Sequence, residues 1–423
     1  MKRVLVLLAP LALLLGWLWM HNYGDGPVRD TPPSEAPAPD EVARGAYLAR
    51  AGNCMACHTA RGGPAYAGGR ALVTPFGTLY SSNLTPDAET GLGSWSRGHF
   101  WRALHHGRSR DGRLLYPAFP YTHYTRVSRA DADALFDYLR SLPPVHQPQP
   151  AHELRWPYRT QAALAVWRAL YFRRGQPLDE PAQTAEWNRG AYLVQGLGHC
   201  GACHTARNAL GAGKLLDLSG GLMPMQDWYA PSLASLSEAG VGAWPLEDII
   251  QLMGTGVAPR ATAMGPMAEV VLHSTQYLEA EDLRAMAVYL KSLPPAPGAA
   301  ELDPRVVQAP PTPVREQGAR IYERHCASCH GAAGEGVPGA YPPLAANRAV
   351  MLPVAHNLVQ AVLYGGYPPA TQGNPRPFGM PPYALVLSDA EVAAVLSYIR
   401  SSWGNRAAPV SELDVSRLRR STQ

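Results

Sequence analysis

The sequence has little charge, few runs of alternating β-branched residues and no concentrated basic segment. Asp, Glu, Lys and Arg make up 17% of its 423 residues, and the formal net charge is +4. Because the positive residues are spread along the chain, we do not expect a nucleic-acid partner. The lack of alternating segments argues against a β-sandwich or a parallel sheet. A phosphate loop, a dinucleotide-binding fingerprint and a nucleophile triad are not evident either.

A short apolar segment at the N-terminus sets the expected compartment. Lys2 and Arg3 precede an apolar run over 4–20, about 17 residues long, which is at the lower limit for a membrane-spanning helix. Because a small-residue cleavage site does not follow it, we expect an uncleaved anchor over 1–23, with a cleaved signal peptide as the alternative. A Pro-rich tether over 24–40 comes next. Both alternatives place the folded body on the periplasmic side of a bacterial inner membrane.

All six cysteines belong to three copies of one short motif, C-x-x-C-H, and none is left over. This motif is the attachment signature of c-type haem. Two thiols on one helical turn can each form a thioether with a haem vinyl group, and the histidine that follows is then held against the iron. The predicted cofactor and iron ligands are Cys54, Cys57 and His58, Cys200, Cys203 and His204, and Cys326, Cys329 and His330.

Three other interpretations of these cysteines are weaker. A zinc site needs paired motifs close together, whereas these motifs lie 146 and 126 residues apart. A thioredoxin-like dithiol needs a βαβ context, which the pattern does not provide. Structural disulfides would not require a histidine after each pair. We therefore predict three covalently bound haems c.

The sequence around the motifs repeats. Each motif follows a similar helix start that contains a glycine, which would let a second helix cross near its backbone. Each repeat closes with a similar helix, and Ser128 and Ser388 are predicted to cap two of these closing helices. The predicted domains are repeat 1 at 41–148, repeat 2 at 186–297 and repeat 3 at 315–404, with a helical linker at 149–185, a second linker at 298–314 and a tail at 405–423.

Methionine is the expected sixth iron ligand in repeats 2 and 3. Met380 stands in Phe378-Gly379-Met380-Pro381-Pro382, where the prolines would stiffen the loop. Met267 is the candidate in repeat 2, and Met264 is its nearby competitor. A thioether opposite histidine raises the reduction potential. Backbone carbonyls of Pro231 and Pro343 are candidates to receive the second ring N–H of the histidines in repeats 2 and 3.

Repeat 1 breaks this pattern because Phe119 stands where methionine is expected. The only methionine between residues 41 and 148 is Met55, which lies between two cysteines of the motif. We predict His123 as the sixth ligand. His105 or His106 is the main alternative, His99 and His146 are further candidates, and an open or water-bound iron is the remaining one. A bis-histidine iron here would have a lower potential than the other two.

The three motifs, together with Trp187-Asn188-Arg189-Gly190-Ala191-Tyr192-Leu193 and Gly379-Met380-Pro381-Pro382, resemble the tri-haem cytochrome c subunits of membrane-bound bacterial dehydrogenases. The resemblance covers roughly residues 41 to 405. It implies an all-α fold, with three tandem class I cytochrome c domains after the N-terminal membrane anchor. It also implies a dehydrogenase large subunit of the pyrroloquinoline quinone, flavin or molybdenum type as electron donor, and ubiquinone or a terminal oxidase or cytochrome as acceptor.

The sequence is compatible with two functions. In the first, the chain is not an enzyme on its own, has no catalytic residues, and carries electrons from an alcohol-, sugar- or aldehyde-oxidising partner. In the second, an atypically ligated haem in repeat 1 acts as a peroxidase or sulfur-compound oxidase. The spin state and ligand binding of that haem would separate the two.

Overall fold

A computed structural model describes residues 2–28, 38–175, 179–214, 217–223, 225–235, 238–259, 261–295 and 309–421. Much of the predicted tether 24–40 and of the linker 298–314 therefore lies outside the described residues. The chain forms two compact units. The first consists of Met1–Asp179 with Gln195–His199 and Asn208–Ala212, and the second consists of Glu180–Val194, Cys200–Arg207 and Gly213–Gln423.

Helices dominate the first unit, which contains repeat 1. A small antiparallel sheet accompanies them, with β2 pairing to both β1 and β3. The elements in chain order are α1 (Lys2–Tyr23), α2 (Pro39–Ala51), α3 (Cys54–Cys57), β1 (Ala71–Thr74), β2 (Gly77–Tyr80), α4 (Arg97–His106), α5 (Tyr121–Tyr124), α6 (Arg129–Ser141), β3 (Glu153–Leu154) and α7 (Gln161–Tyr171).

The second unit contains repeat 3 and all of repeat 2 except Gln195–His199 and Asn208–Ala212. Two-stranded antiparallel pairs, β4 with β5 and β6 with β7, accompany its helices. A π-helix at Tyr192–Leu197 follows the first helix of repeat 2 and runs across the boundary of the two units. The regular elements are α8 (Ala185–Ala191), β4 (Gly221–Met223), β5 (Trp228–Ala230), α9 (Leu246–Thr255), β6 (Val257–Ala258), β7 (Ala261–Thr262), α10 (Pro266–His273), α11 (Ala280–Lys291), α12 (Thr312–His325), α13 (Ala327–His330), α14 (Arg348–Met351), α15 (His356–Tyr364), α16 (Asp389–Arg400) and α17 (Glu412–Ser421).

Two parts of the predicted fold class were wrong. The chain is not all-α, because the segments after the first two motifs form short antiparallel strands of two to four residues. The predicted N-terminal membrane anchor is not supported either. Over the part of the chain that the structure describes, no helix combines the length and the apolar character needed to cross a membrane.

The same close helix crossing occurs in all three repeats, as the glycine pattern predicts. In repeat 3, a Cβ atom on Gly318 of α12 would lie only 2.3 Å from the Ala394 carbonyl oxygen of α16. In repeats 1 and 2, a Cβ on Gly45 or Gly190 would lie 2.0 Å from the carbonyl oxygen of Ala134 or Ala285. The opening and closing helices therefore touch backbone to backbone. Ser128 and Ser388 accept the predicted N-terminal capping bonds of α6 and α16.

We expect Gly318→Ala to lower the free energy of unfolding of repeat 3 by about 1–3 kcal/mol, because the new methyl group would force two packed helices apart. Gly16→Ala in α1 is the matched control, since a Cβ there meets nothing within 4 Å. That control should be neutral or slightly stabilising, because alanine is the better helix former. Urea unfolding of both variants measures the difference. Equal stability of the two variants would show that the crossing is not tight.

A buried arginine joins the N-terminal helix to the linker helix in the first unit. Arg168 of α7 is 1% exposed. Its Nε donates to Asn22 Oδ1 at 2.8 Å, and its Nη2 donates to the His106 carbonyl at 2.8 Å. The guanidinium also lies over the rings of Tyr121 and Phe172. It therefore satisfies the C-terminal end of α4, where carbonyl groups lack helical partners.

Candidate haem-binding sites

Each C-x-x-C-H motif forms a single helical turn. The backbone N–H of the histidine donates to the carbonyl of the first cysteine in every case, at 3.0 Å for His58, 2.9 Å for His204 and 2.9 Å for His330. This turn places two thiols and one imidazole on the same short segment, as attachment of a haem requires. The cysteines are thiols rather than disulfides in the structure.

The three motif histidines share one hydrogen bond. The Nδ1–H of each ring donates to a backbone carbonyl, at 2.8 Å to Ser82 from His58, 2.8 Å to Pro231 from His204 and 3.0 Å to Pro342 from His330. Such a bond fixes the tautomer, so that Nε2 carries the lone pair that can bind a metal. The carbonyl of Pro231 is the one expected from the sequence, whereas in repeat 3 the partner is Pro342 and not Pro343.

The pKa values of the motif histidines suit iron coordination. Burial lowers the pKa of His58, His204 and His330, and the bond to the carbonyl opposes that shift. The rings are therefore neutral near pH 7 and able to coordinate iron. Burial also raises the pKa of the Cys54 and Cys200 thiols, each to about 12. A thioredoxin-like dithiol needs a lowered pKa, so the motifs do not fit that chemistry.

A tyrosine supports the carbonyl just before two of the motifs. The hydroxyl of Tyr124 donates to the Gly52 carbonyl at 3.2 Å, and the hydroxyl of Tyr383 donates to the His325 carbonyl at 2.8 Å. Both tyrosines follow the loops that carry the predicted sixth-ligand positions. They therefore connect the sixth-ligand side of each repeat to its attachment motif.

We expect Tyr124→Phe and Tyr383→Phe each to lower the free energy of unfolding by about 1 kcal/mol, because each removes one hydrogen bond of a partly buried carbonyl. Tyr158→Phe is the control, since its side chain is 38% exposed. Denaturant unfolding of the three variants gives the comparison. A loss in Tyr158→Phe as large as in the other two would contradict this role of the hydroxyls.

Met380, the sixth ligand predicted for repeat 3, lies in a loop that backbone hydrogen bonds fix in place. Its backbone N–H donates to the Gly366 carbonyl at 2.8 Å and its carbonyl accepts from the Gly366 N–H at 3.0 Å. The half-buried side chain packs against the same hydrophobic cluster as Cys326 and Leu344. The bridge to Gly366 and the following Pro381 thus hold the methionine loop from both sides.

The two methionine candidates of repeat 2 have different surroundings. Met267 lies in the first turn of α10 and is half-buried. The Cε of Met264 lies 3.4 Å from the position that a Cβ on Gly366 would take, so its side chain packs on repeat 3. The assignment of Met267 as the sixth ligand stays a prediction.

Phe119 of repeat 1 and Met267 of repeat 2 occupy corresponding positions after matching backbone hydrogen bonds. After α4, the N–H of Leu115 donates to the Gly107 carbonyl at 2.8 Å, and after α9 the N–H of Ala263 donates to the Gly256 carbonyl at 2.8 Å. Phe119 follows Leu115 by four residues, as Met267 follows Ala263. Repeat 1 therefore carries phenylalanine at the position that corresponds to Met267.

His123 is the predicted replacement ligand, and it lies in α5 with 4% of its surface exposed. Its Nδ1–H donates to the Gln195 carbonyl at 3.1 Å. This is the same kind of bond that fixes the tautomer of the three motif histidines, so Nε2 is again the nitrogen suited to iron. The assignment of His123 as a ligand stays a prediction.

The other histidines of repeat 1 have different roles in the structure. His99 takes part in the capping box of α4 with Ser96. The side chain of His146 is 57% exposed and lies 3.6 Å from Asp87. His105 stacks on Trp101, and burial lowers its pKa and that of His106 to about 4. They are half-buried and neutral, and they remain the alternative to His123.

Several supporting groups were not predicted from the sequence. The carbonyls of Ser82, Pro342 and Gln195 are backbone atoms, which carry no side-chain signal. Tyr124 and Tyr383 could have been found, because each occurs a few residues after the expected sixth-ligand position. The only sequence signal for the buried Arg168 is that it is the single cation of an otherwise apolar helix.

A sequence model described as Cytochrome c matches residues 42–143 and 315–403. The helical turn of each motif, the neutral histidine beside it and this match define a c-type cytochrome. Such a protein binds haem c covalently.

Three known cytochrome subunits are similar to this chain over most of its length. An alcohol dehydrogenase (quinone) cytochrome c subunit of Gluconacetobacter polyoxogenes is 40% identical over 394 residues, covering 89% of this chain and 84% of that protein. A gluconate 2-dehydrogenase cytochrome c subunit of Pantoea cypripedii is 38% identical, covering 97% and 94%. A fructose dehydrogenase cytochrome subunit of Gluconobacter japonicus is 35% identical, covering 93% and 86%.

The chain belongs to this family of dehydrogenase cytochrome c subunits. It is an electron-transfer subunit of an oxidoreductase complex and not the catalytic subunit, as predicted. The alternative of a haem enzyme that acts on its own is not supported.

Proposed function

We propose that the chain binds three haems c and carries electrons from a dehydrogenase large subunit to ubiquinone or a terminal acceptor. The partner would be of the pyrroloquinoline quinone, flavin or molybdenum type and would oxidise an alcohol, a sugar or an aldehyde. The electron transfer would take place at the periplasmic side of the bacterial inner membrane. The observation that carries this proposal is the threefold motif turn, in which each histidine donates its Nδ1–H to a carbonyl.

The residues of each site would perform distinct tasks. The two cysteines would hold the cofactor by thioether bonds, and the motif histidine would present Nε2 to the iron. Met267 and Met380 would complete the coordination in repeats 2 and 3, and His123 would do so in repeat 1. Haem supplies a one-electron carrier in each repeat. Because a thioether raises the potential relative to a second imidazole, repeat 1 would hold the lowest potential of the three.

The donor enzyme identifies the substrate class, so the experiment must recover it. The tagged chain is purified in mild detergent from the membranes of its own cells, and the subunits and cofactors that accompany it are identified. We expect a large subunit whose substrate reduces the haems of the complex. Recovery of the chain alone from intact complexes, with turnover of its own, would contradict the proposal.

A further inference from the structure

Repeats 2 and 3 contact each other within the second unit, and Asn357 makes the first of these contacts. Its Oδ1 accepts from the Tyr229 N–H at 2.8 Å, and its Nδ2 donates to the Tyr229 carbonyl at 2.8 Å. The amide thus pairs with both backbone groups of a residue in β5, as a neighbouring strand would. One turn further along α15, Gln360 Nε2 donates to the Asp227 carbonyl at 3.3 Å. The N-terminal half of α15 is therefore docked on the β4–β5 hairpin.

The second contact is at the end of α9. Gly256 adopts a φ of +80°, and a Cβ there would lie 2.2 Å from Cγ of Pro369 in repeat 3. Thr371 Oγ1 donates to the Thr255 carbonyl at 3.0 Å. A side chain larger than hydrogen has no room at this position, so the loop of repeat 3 lies directly against the helix end of repeat 2.

The third contact joins the two methionine loops. The Cε of Met264 lies over Gly366, 3.4 Å from where a Cβ would be, and Gly366 exchanges two backbone hydrogen bonds with Met380. Between Met264 and Met267, a Cβ on Gly265 would lie 2.6 Å from the ring of Trp228, so this loop is fixed against β5. Met264 of one loop and Met380 of the other therefore both lie beside Gly366.

We propose that Met264 is a positioning residue for Met380, the sixth ligand proposed for the neighbouring repeat. Its terminal methyl group lies beside Gly366, which exchanges two backbone hydrogen bonds with Met380. Asn357 supports the same arrangement by fixing β5, against which the Met264–Met267 loop packs. The inference rests on the proposed function in one respect, because it takes Met380 and Met267 as iron ligands.

The first test replaces Met264 with leucine in the full haem-loaded chain. The spectroscopic readout is the hyperfine-shifted methyl resonance of each ligand methionine, together with the reduction potential of each haem. We expect the Met380 resonance and the potential of repeat 3 to change, although the substitution lies in repeat 2, while Met267 remains bound. Met225→Leu is the matched control, since Met225 belongs to repeat 2 and is 58% exposed. That variant should leave both resonances unchanged.

Two outcomes would overturn the inference. If Met264→Leu abolishes methionine ligation in repeat 2, Met264 is itself the sixth ligand there. If neither resonance moves relative to the Met225→Leu control, the loops are not coupled through this contact. Neither outcome would contradict electron transfer from a partner dehydrogenase. That function is tested separately, by substrate-dependent reduction of the haems in the purified complex.

A second variant tests the hairpin contact without relying on haem signals. Asn357→Leu removes both hydrogen bonds to Tyr229, and we expect the amide hydrogen of Tyr229 to exchange with solvent about 10- to 30-fold faster. Asn357→Asp keeps the acceptor for the Tyr229 N–H and should show a smaller increase. We also expect the Met267 resonance to shift in Asn357→Leu. Unchanged exchange at Tyr229 in Asn357→Leu would contradict the contact.

Discussion

Replacing Cys326 and Cys329 together with alanine is expected to lower the covalently bound haem from three to two per chain and to unfold repeat 3. The reason lies in the core of that repeat. Half-buried residues, among them Cys326, Leu344 and Met380, pack against a buried cluster that includes Tyr322, Val359 and Leu396. With roughly 90 residues, the repeat buries too little surface to be stable if these half-buried residues stay open to water.

The measurement combines haem counting with unfolding. The haem content is determined by the pyridine haemochrome assay and by intact mass, and cooperative unfolding is followed by circular dichroism. Ser328→Ala is the matched control, because Ser328 lies exposed between the same two cysteines. It should retain all three haems and the wild-type unfolding transition. A double variant that still carried three covalently bound haems would show that this motif is not an attachment site.

Local signals predicted the parts of the sites that depend on neighbouring residues. The motif turns follow from the C-x-x-C-H spacing, and the N-terminal caps at Ser128 and Ser388 follow from serine placed before an acidic first turn. The close crossing at Gly318 could also be predicted, because a conspicuous small residue in each opening helix has a simple steric explanation. In each case, the signal lies in a few neighbouring residues of the sequence.

The sequence signals failed where distant backbone groups decide the structure. The strands are too short for an alternating pattern to show, and β3 pairs with β2 although a long stretch of chain separates them. The carbonyl that holds His330 comes from Pro342, one residue before the expected Pro343. The Gln195 carbonyl that accepts from His123 comes from another repeat. A backbone carbonyl has no residue preference, so only the folded chain reveals it.

His123→Ala is expected to convert the haem of repeat 1 from a closed low-spin site to an open one. Phe119 occupies the position that corresponds to Met267, and phenylalanine has no atom that can bind iron. If His123 supplies the ligand, its removal leaves the iron with His58 alone, because alanine has no atom that can bind iron. We expect about one carbon monoxide bound per reduced chain in the variant and almost none in the wild type.

Two controls make this result specific. His146→Ala removes a histidine whose side chain is 57% exposed and should have no effect. His106→Ala tests the alternative ligand at the end of α4. Carbon monoxide binding by the wild type, or opening of the site in His106→Ala but not in His123→Ala, would contradict the assignment.

A double variant tests whether a methionine in repeat 1 can replace the histidine ligand. In Phe119→Met combined with His123→Ala, the methionine would stand where repeat 2 has Met267, and the site should close again. Because a thioether then replaces an imidazole, the potential of this haem should rise above its wild-type value. Redox titration of the double variant, with His123→Ala alone as reference, measures both effects. A site that stayed open to carbon monoxide would mean that the loop of repeat 1 does not bring Phe119 to the iron, despite the matching hydrogen bonds of Leu115 and Ala263.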